Sequence, residues 1–338
     1  GGWDADGKGE SIWDRFSHTP HRIATGETGD VACDHYHKMT EDVALMRDLG
    51  LKAYRFSISW PRVLPNGTGT VNPAGLDFYS RLVDTLLEAE ITPSATLYHW
   101  DLPQALQDRG GWPNRDSADW FTEYADLMFR TLGDRVPFWS TFNEPWVSSF
   151  IGYGYGIHAP GICDATGAYQ TAHHLLLSHG KAVQAFRQGN YLGKIGIVLN
   201  IHHPLPASDQ PEDIDAARRV QLHMMDWFTE PVFNGRYPEE LLTFIGEHAP
   251  VVQPGDMEII QQPIDWLGLN YYPTEKVSYA VYGGAIKARV EPYSAEGWGH
   301  TAMGWGINPQ GLLAILTELG QRYPNTPIYI TENGMALT

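Results

Sequence analysis

Two glutamates stand where a sequence seldom places a charge. Glu144 closes the run Phe138 to Glu144 (FWSTFNE) and Glu332 closes the run Pro327 to Glu332 (PIYITE). Each follows apolar and β-branched residues, and each precedes a turn former, Pro145 in one case and Asn333-Gly334 in the other. A carboxylate at the end of a hydrophobic strand is partly desolvated and needs a reason to be there. Either glutamate taken alone is equally well explained as a member of a structural ion pair. Two in the same context point to a working pair, and the chemistry that needs one is cleavage of a glycosidic bond. One carboxyl gives a proton to the departing oxygen while the other attacks or stabilises an oxocarbenium-like anomeric carbon.

The elements that must position such a pair are legible as an alternation of short β-rich runs with helical segments, the pattern of parallel βα units. Six runs read as strands: Ala53 to Trp60, Pro93 to Trp100, Phe138 to Glu144, Lys194 to Ile201, Asp265 to Tyr272 and Pro327 to Glu332. Between them, Asn72-Pro73 offers an N-cap and a first-turn proline to a helix whose apolar face is Leu76, Tyr79, Leu82, Val83, Leu86 and Leu87. Asp116 is placed to cap a second helix, with Trp120, Phe121, Tyr124, Leu127 and Met128 at helical spacing before Gly133. These aromatic stripes read as core packing.

Polar residues gather at the C-terminal ends of the strands: His99-Trp100-Asp101, Asn143-Glu144-Pro145, Asn270-Tyr271-Tyr272 and Glu332-Asn333. In a parallel barrel those ends share one face, where active sites are built. In the run Tyr54 to Trp60 the polar Arg55, Ser57 and Ser59 alternate with bulky apolar residues. The period of two puts the polar three on one face, the barrel interior, and leaves Phe56 and Ile58 to pack on helices. A buried guanidinium must be paired, and a catalytic carboxylate suits it.

The stretches Thr141 to Pro145 (TFNEP) and Ile330 to Gly334 (ITENG) resemble the two catalytic signatures of glycoside hydrolase family 1, the β-glucosidase family. So do Tyr54 to Pro61 (YRFSISWP), Leu97 to Pro103 (LYHWDLP), His158 to Gly161 (HAPG) and Gly268 to Tyr272 (GLNYY), in family order and over essentially the whole chain. The resemblance implies an α/β fold of the (β/α)₈ TIM-barrel type and a retaining β-glucosidase acting on small β-glucosides or cello-oligosaccharides without a cofactor. It implies that Glu144 is the acid/base and Glu332 the nucleophile. Asn143 matches the residue that binds the sugar 2-hydroxyl, Arg55 and Tyr272 the pair that contacts the nucleophile, and Asn270 a member of the same network. His99 and Trp100 match the lining of the glycone pocket, and Trp146 and Trp305 the aromatic walls of the aglycone site. Indole platforms beside hydrogen-bonding groups suit the apolar faces and polar rims of sugars.

The chain departs from the family pattern in three places. The family's first strand ends in Gln-x-Glu-Gly, and the chain begins at that last glycine. Its eighth strand, which carries a Trp and a Glu of the glycone pocket, would follow Thr338. The expectation is therefore a single catalytic domain over residues 1–338, a barrel without its first and eighth strands. Ala302 and Gly306 stand where the family usually has Asp and Glu around Met303-Gly304-Trp305, a change that bears on aglycone preference.

Composition narrows the alternatives. Asp and Glu total 40 against 23 Lys and Arg, a net charge of -17 that repels phosphate backbones and anionic headgroups and argues against nucleic acid or membrane partners. Cys33 and Cys163, the two cysteines, form no disulfide framework or zinc cluster and read as reduced cytosolic thiols. No apolar run reaches bilayer length and no export signal opens the chain, so a cytoplasmic protein is expected. The pairs His35/His37, His173/His174 with His179, and His202/His203 lack a third ligand at zinc spacing, so no metal is expected. No phosphate-cradling glycine pattern occurs. Within the family, 6-phospho-β-glucosidase, β-galactosidase or β-fucosidase activity is the alternative, and outside it a noncatalytic fragment. A thioglucosidase would carry Gln at position 144.

Overall fold

The computed structural model describes residues 2–337. The chain divides into two compact units, residues 1–196 and 197–338. The six expected strands all form. They are β1 (Ala53–Ser57), β2 (Thr92–Tyr98), β3 (Phe138–Asn143), β4 (Lys194–Asn200), β6 (Trp266–Asn270) and β9 (Ile328–Glu332), alongside β5 (His203–Pro206), β7 (Thr274–Tyr279) and β8 (Ala288–Tyr293).

In the first unit β1, β2 and β3 lie parallel in that order, with Arg55 opposite Ser94, Thr96 opposite Ser140 and Tyr98 opposite Phe142. β4 begins in this unit, where the Lys194 N–H donates to the Pro137 carbonyl at 2.8 Å. Nearly every side chain of β3 is buried, as expected of a parallel strand covered on both faces, so its polar residues must bond one another or a neighbour. Thr96 and Ser140 hydroxyls meet at 2.8 Å, and the Thr141 hydroxyl lies 2.8 Å from Nδ1 of the fully buried His179.

The helices Pro73–Glu88 and Ser117–Leu132 cover these strands. Phe78, Tyr79, Leu82, Val83 and Leu86 of the first are buried, but Leu87 of the expected face is exposed and Phe78 takes a place in the core. Neither expected cap forms through its side chain: Asn72 Nδ2 donates instead to the carbonyls of Asp6 and Arg62, both at 2.9 Å, and Asp116 has helical backbone angles. Phe56 stacks on Tyr79 with ring centroids 6.5 Å apart, and Trp60 stacks on Tyr124 at 4.9 Å. The Tyr124 hydroxyl donates to the Leu97 carbonyl at 2.8 Å, tying the helix to β2 one residue before the strand ends.

In the second unit the residue after β4, Ile201, donates its N–H to the Asn270 carbonyl at 3.1 Å. β6 pairs parallel with β9, and a shift of register after Leu269 sets Asn270 opposite Glu332. A small sheet not foreseen in the sequence follows, β5 parallel to β7 and β7 antiparallel to β8. Its strands are broken up by Pro204 and Pro206 in β5, Glu275 and Lys276 in β7, and Arg289, Glu291 and Pro292 in β8, which hides them from a search for apolar runs. Five of the six expected strands end earlier than read. β1 stops at Ser57, Trp60 opens a short helix, and Trp100 and Glu144 leave their strands with φ of 80° and 52°, angles at which no strand ladder continues.

Candidate active site

Within the first unit, Asn143 is the centre of the constellation and has no exposed surface. Arg55 Nη1 donates to its Oδ1 at 3.3 Å and also to the Thr96 hydroxyl at 3.1 Å. A guanidinium can only donate, so the amide oxygen must face Arg55, and Nδ2 is turned toward His99 Nε2 at 3.2 Å. His99 then accepts on Nε2. Trp100 Nε1 donates to the Asn143 carbonyl at 3.1 Å, which pins the indole beside the same residue. The expected face of β1 is thus partly realised: Arg55 points toward β2 and β3, whereas Ser57 is exposed.

Glu144, the next residue, is buried, with 6% of its surface exposed. Its left-handed backbone costs about 1–3 kcal/mol in a non-glycine residue and persists only where surroundings impose it. Beyond it the chain winds into the π-helical segment Val147–Gly154, begun by the Ser148 N–H bonding the Glu144 carbonyl at 3.2 Å and tightened by the Ser149 hydroxyl on the Pro145 carbonyl at 2.7 Å. Such segments interrupt helices most often at functional sites. Trp146 is half-buried and its ring lies 6.0 Å from Phe150.

Within the second unit, the Tyr272 hydroxyl donates to Glu332 Oε2 at 3.0 Å. The buried Asn270 accepts from the Thr331 hydroxyl at 2.6 Å, and the Asn333 side chain donates to the Tyr271 carbonyl at 2.8 Å, so the two strand ends are laced on either side of Glu332. Trp305, one third exposed, sits with its ring 5.3 Å from that of Tyr272. The structure therefore brings Arg55, His99, Trp100 and Asn143 together beside Glu144, and Asn270, Tyr272 and Trp305 together with Glu332, each set within its own unit.

Three of the paired histidines have local partners. His35 Nδ1 meets Asp42 at 2.6 Å, His37 Nδ1 meets Asp34 at 2.6 Å, and His174 Nδ1 meets the Trp112 carbonyl at 2.8 Å. Burial pushes His179 down to about 3, so it is a neutral core residue. No group of three or more His, Cys, Asp or Glu able to hold a metal occurs among the described residues. Sequence reasoning missed Thr96 and Ser140, the polar layer under Arg55, although the alternation of Ser94 and Thr96 with apolar neighbours in β2 was an available signal. Asp101 and His158 lie inside the motifs LYHWDLP and HAPG, where the sequence alone gives neither a role.

The comparisons with known proteins agree with this geometry. The chain is 50% identical over 340 residues to Beta-glucosidase A of Acetivibrio thermocellus, covering 99% of this chain and 75% of that protein. It is 51% identical over 333 residues to a 1,4-beta-D-glucan glucohydrolase of Thermotoga neapolitana, covering 98% of this chain and 77% of the other. The family 1 β-glucosidase structure from Thermotoga maritima superimposes with a TM-score of 0.94 at 50% identity, over 100% of this chain and 75% of that one. The same enzyme has been solved in complex with deoxynojirimycin. These likenesses bring the (β/α)₈ barrel of those relatives to the parallel strands described above. With the model of the family described as glycosyl hydrolase family 1 matching residues 1–338, the chain belongs to that family.

Proposed function

We propose that this chain is a retaining β-glucosidase that releases terminal non-reducing β-D-glucosyl residues from small β-glucosides or cello-oligosaccharides, with residues 1–338 acting as one catalytic domain. In this reading a Glu332 oxygen attacks the anomeric carbon as the bond to the aglycone oxygen breaks and Glu144 gives that oxygen a proton. Glu144 then takes a proton from water, whose oxygen attacks the same carbon and releases Glu332 from the glycosyl ester. The observation that carries the assignment is the bond from Tyr272 to Glu332 Oε2, which holds one oxygen of the carboxylate at a strand end. The burial of Glu144 suits the opposite task, since a carboxyl out of water is less costly with its proton than without it.

In this reading Asn143, its amide held by Arg55 and His99, meets a sugar hydroxyl, and the indoles of Trp100, Trp146 and Trp305 meet apolar sugar faces. Cys33 and Cys163 are both exposed and in no disulfide, which supports a reducing, cytoplasmic setting. Proton NMR of glucose released from an aryl β-glucoside tests the mechanism. The first-formed sugar should be the β anomer, and an initial α anomer would overturn the double displacement.

A further inference from the structure

Behind Trp100 the first unit holds a small cavity of about 10 Å³, lined among others by Trp13, Tyr98, Trp100, Ser148, Tyr153 and His158. Two polar atoms on that lining, Ser148 Oγ and His158 Nδ1, are buried and have no hydrogen-bond partner in the protein. Ser148 as a whole is 8% exposed. Leaving such a group unsatisfied forfeits its hydration without compensation, so a pair of them on residues that line one cavity needs an explanation. A polar cavity of roughly 10–15 Å³ is the smallest that admits one water, and a buried water needs two to four polar partners. The cavity stands at the lower end of that size, and two residues of its lining carry such unpartnered polar atoms.

His158 has a second distinction. Its ring lies 5.2 Å from that of Trp13 and 5.4 Å from that of Trp100, in contact with both indoles. Trp100 is the residue at φ 80°, a conformation costly for a bulky side chain and retained only where neighbours impose it. The neighbours are the Asn143 carbonyl on the indole nitrogen, the His99 ring at 5.1 Å and the His158 ring behind.

We propose that one ordered water occupies this cavity, bridging Ser148 Oγ and His158 Nδ1, and that His158, fixed by it, is a positioning residue that holds the Trp100 indole as a wall of the sugar site. The second half rests on the reading of Trp100 as part of the glycone pocket. The water donates to Nδ1 of a neutral imidazole protonated on Nε2 and accepts from, or donates to, the serine hydroxyl. Burial, which lowers the pKa of His158, keeps the ring in that neutral form.

A crystal structure of the protein at a resolution that orders internal waters should show a peak within hydrogen-bond distance of both atoms, and a cavity without one overturns the bridge. Ser148→Ala and His158→Phe, made singly and together, are then compared for the affinity of a glucose-configured iminosugar by calorimetry and for KM and kcat on an aryl β-glucoside. Each single variant should weaken the inhibitor and lower kcat/KM roughly tenfold, and the double variant should lose little more, because both changes break the same bridge. Additive losses, or affinities equal to wild type, overturn the positioning role. Trp100→Ala separates the two readings: if it leaves kcat/KM and inhibitor affinity unchanged, the indole is no sugar wall, whereas the water peak is decided independently by the crystal structure.

Discussion

Asp101 follows Trp100 directly, and burial pushes its carboxyl up to about 7, against the downward pull of the Ser59 hydroxyl bond and the charge of Lys8. Its Oδ1 is buried without a hydrogen-bond partner, although the residue as a whole keeps some exposure. The folded protein therefore holds a proton that the unfolded chain, with its carboxyl near the ordinary 3.8, has already released. The stability this contributes is fully present below about pH 3.8 and is lost as pH rises to about 7. Three pKa units at about 1.4 kcal/mol each make the whole loss about 4 kcal/mol, of which about 3 falls between pH 5 and pH 8. Solvent reaching the side chain makes that figure a ceiling.

Asp101→Asn keeps the shape and an acceptor for Ser59 but has no proton to lose. For 338 residues, an unfolding entropy of about 2.1 cal/mol/K per residue gives about 0.7 kcal/mol/K, so 3 kcal/mol corresponds to about 4 °C in Tm. Thermal unfolding of both proteins at pH 5 and pH 8 is the assay. The difference in Tm, variant minus wild type, should grow by up to about 4 °C from the lower pH to the higher. A difference that is constant or shrinks with pH would refute the buried, protonated carboxyl.

Two further expectations concern the glutamates and the core histidines. Glu332→Gly should abolish turnover of every substrate, while Glu144→Ala should retain the first step for leaving groups that need no proton, and azide should yield the β-glycosyl azide from the Glu144 variant and the α-azide from the Glu332 variant. The reverse pair of products would exchange the two roles. Burial pushes His179 and His223 each down to about 3, so the stability they contribute is present above about pH 6.5 and is lost as pH falls toward 3. Between pH 7 and pH 4.5 each should cost about 3 kcal/mol, more in sum than Asp101 returns, so Tm should fall over that range in a calorimetric scan. A Tm that rises on acidification would contradict it.

The parallel strands and the two glutamates were legible in the amino-acid order because the signals are local. A parallel strand reads as a short apolar run whether it is buried like β3 or partly exposed like β9, and Asn143-Glu144-Pro145 or Glu332-Asn333-Gly334 needs only its neighbours to be seen as a polar strand end. The lengths of those strands, the orientation of the Asn143 amide, the polar layer of Thr96 and Ser140 and the placing of His158 against Trp100 were not legible. Arg55 meets Asn143 across 88 residues of chain, Thr96 meets Ser140 across 44, and Trp100 meets Asn143 across 43. The left-handed backbones of Trp100 and Glu144 run against the local preference of those residues, so only partners distant in sequence can impose them. What the sequence determined alone was which residues could do the chemistry. Their directions, partners and degree of burial were decided by tertiary contacts, because a hydrogen bond or a strained φ is set by what the fold brings alongside.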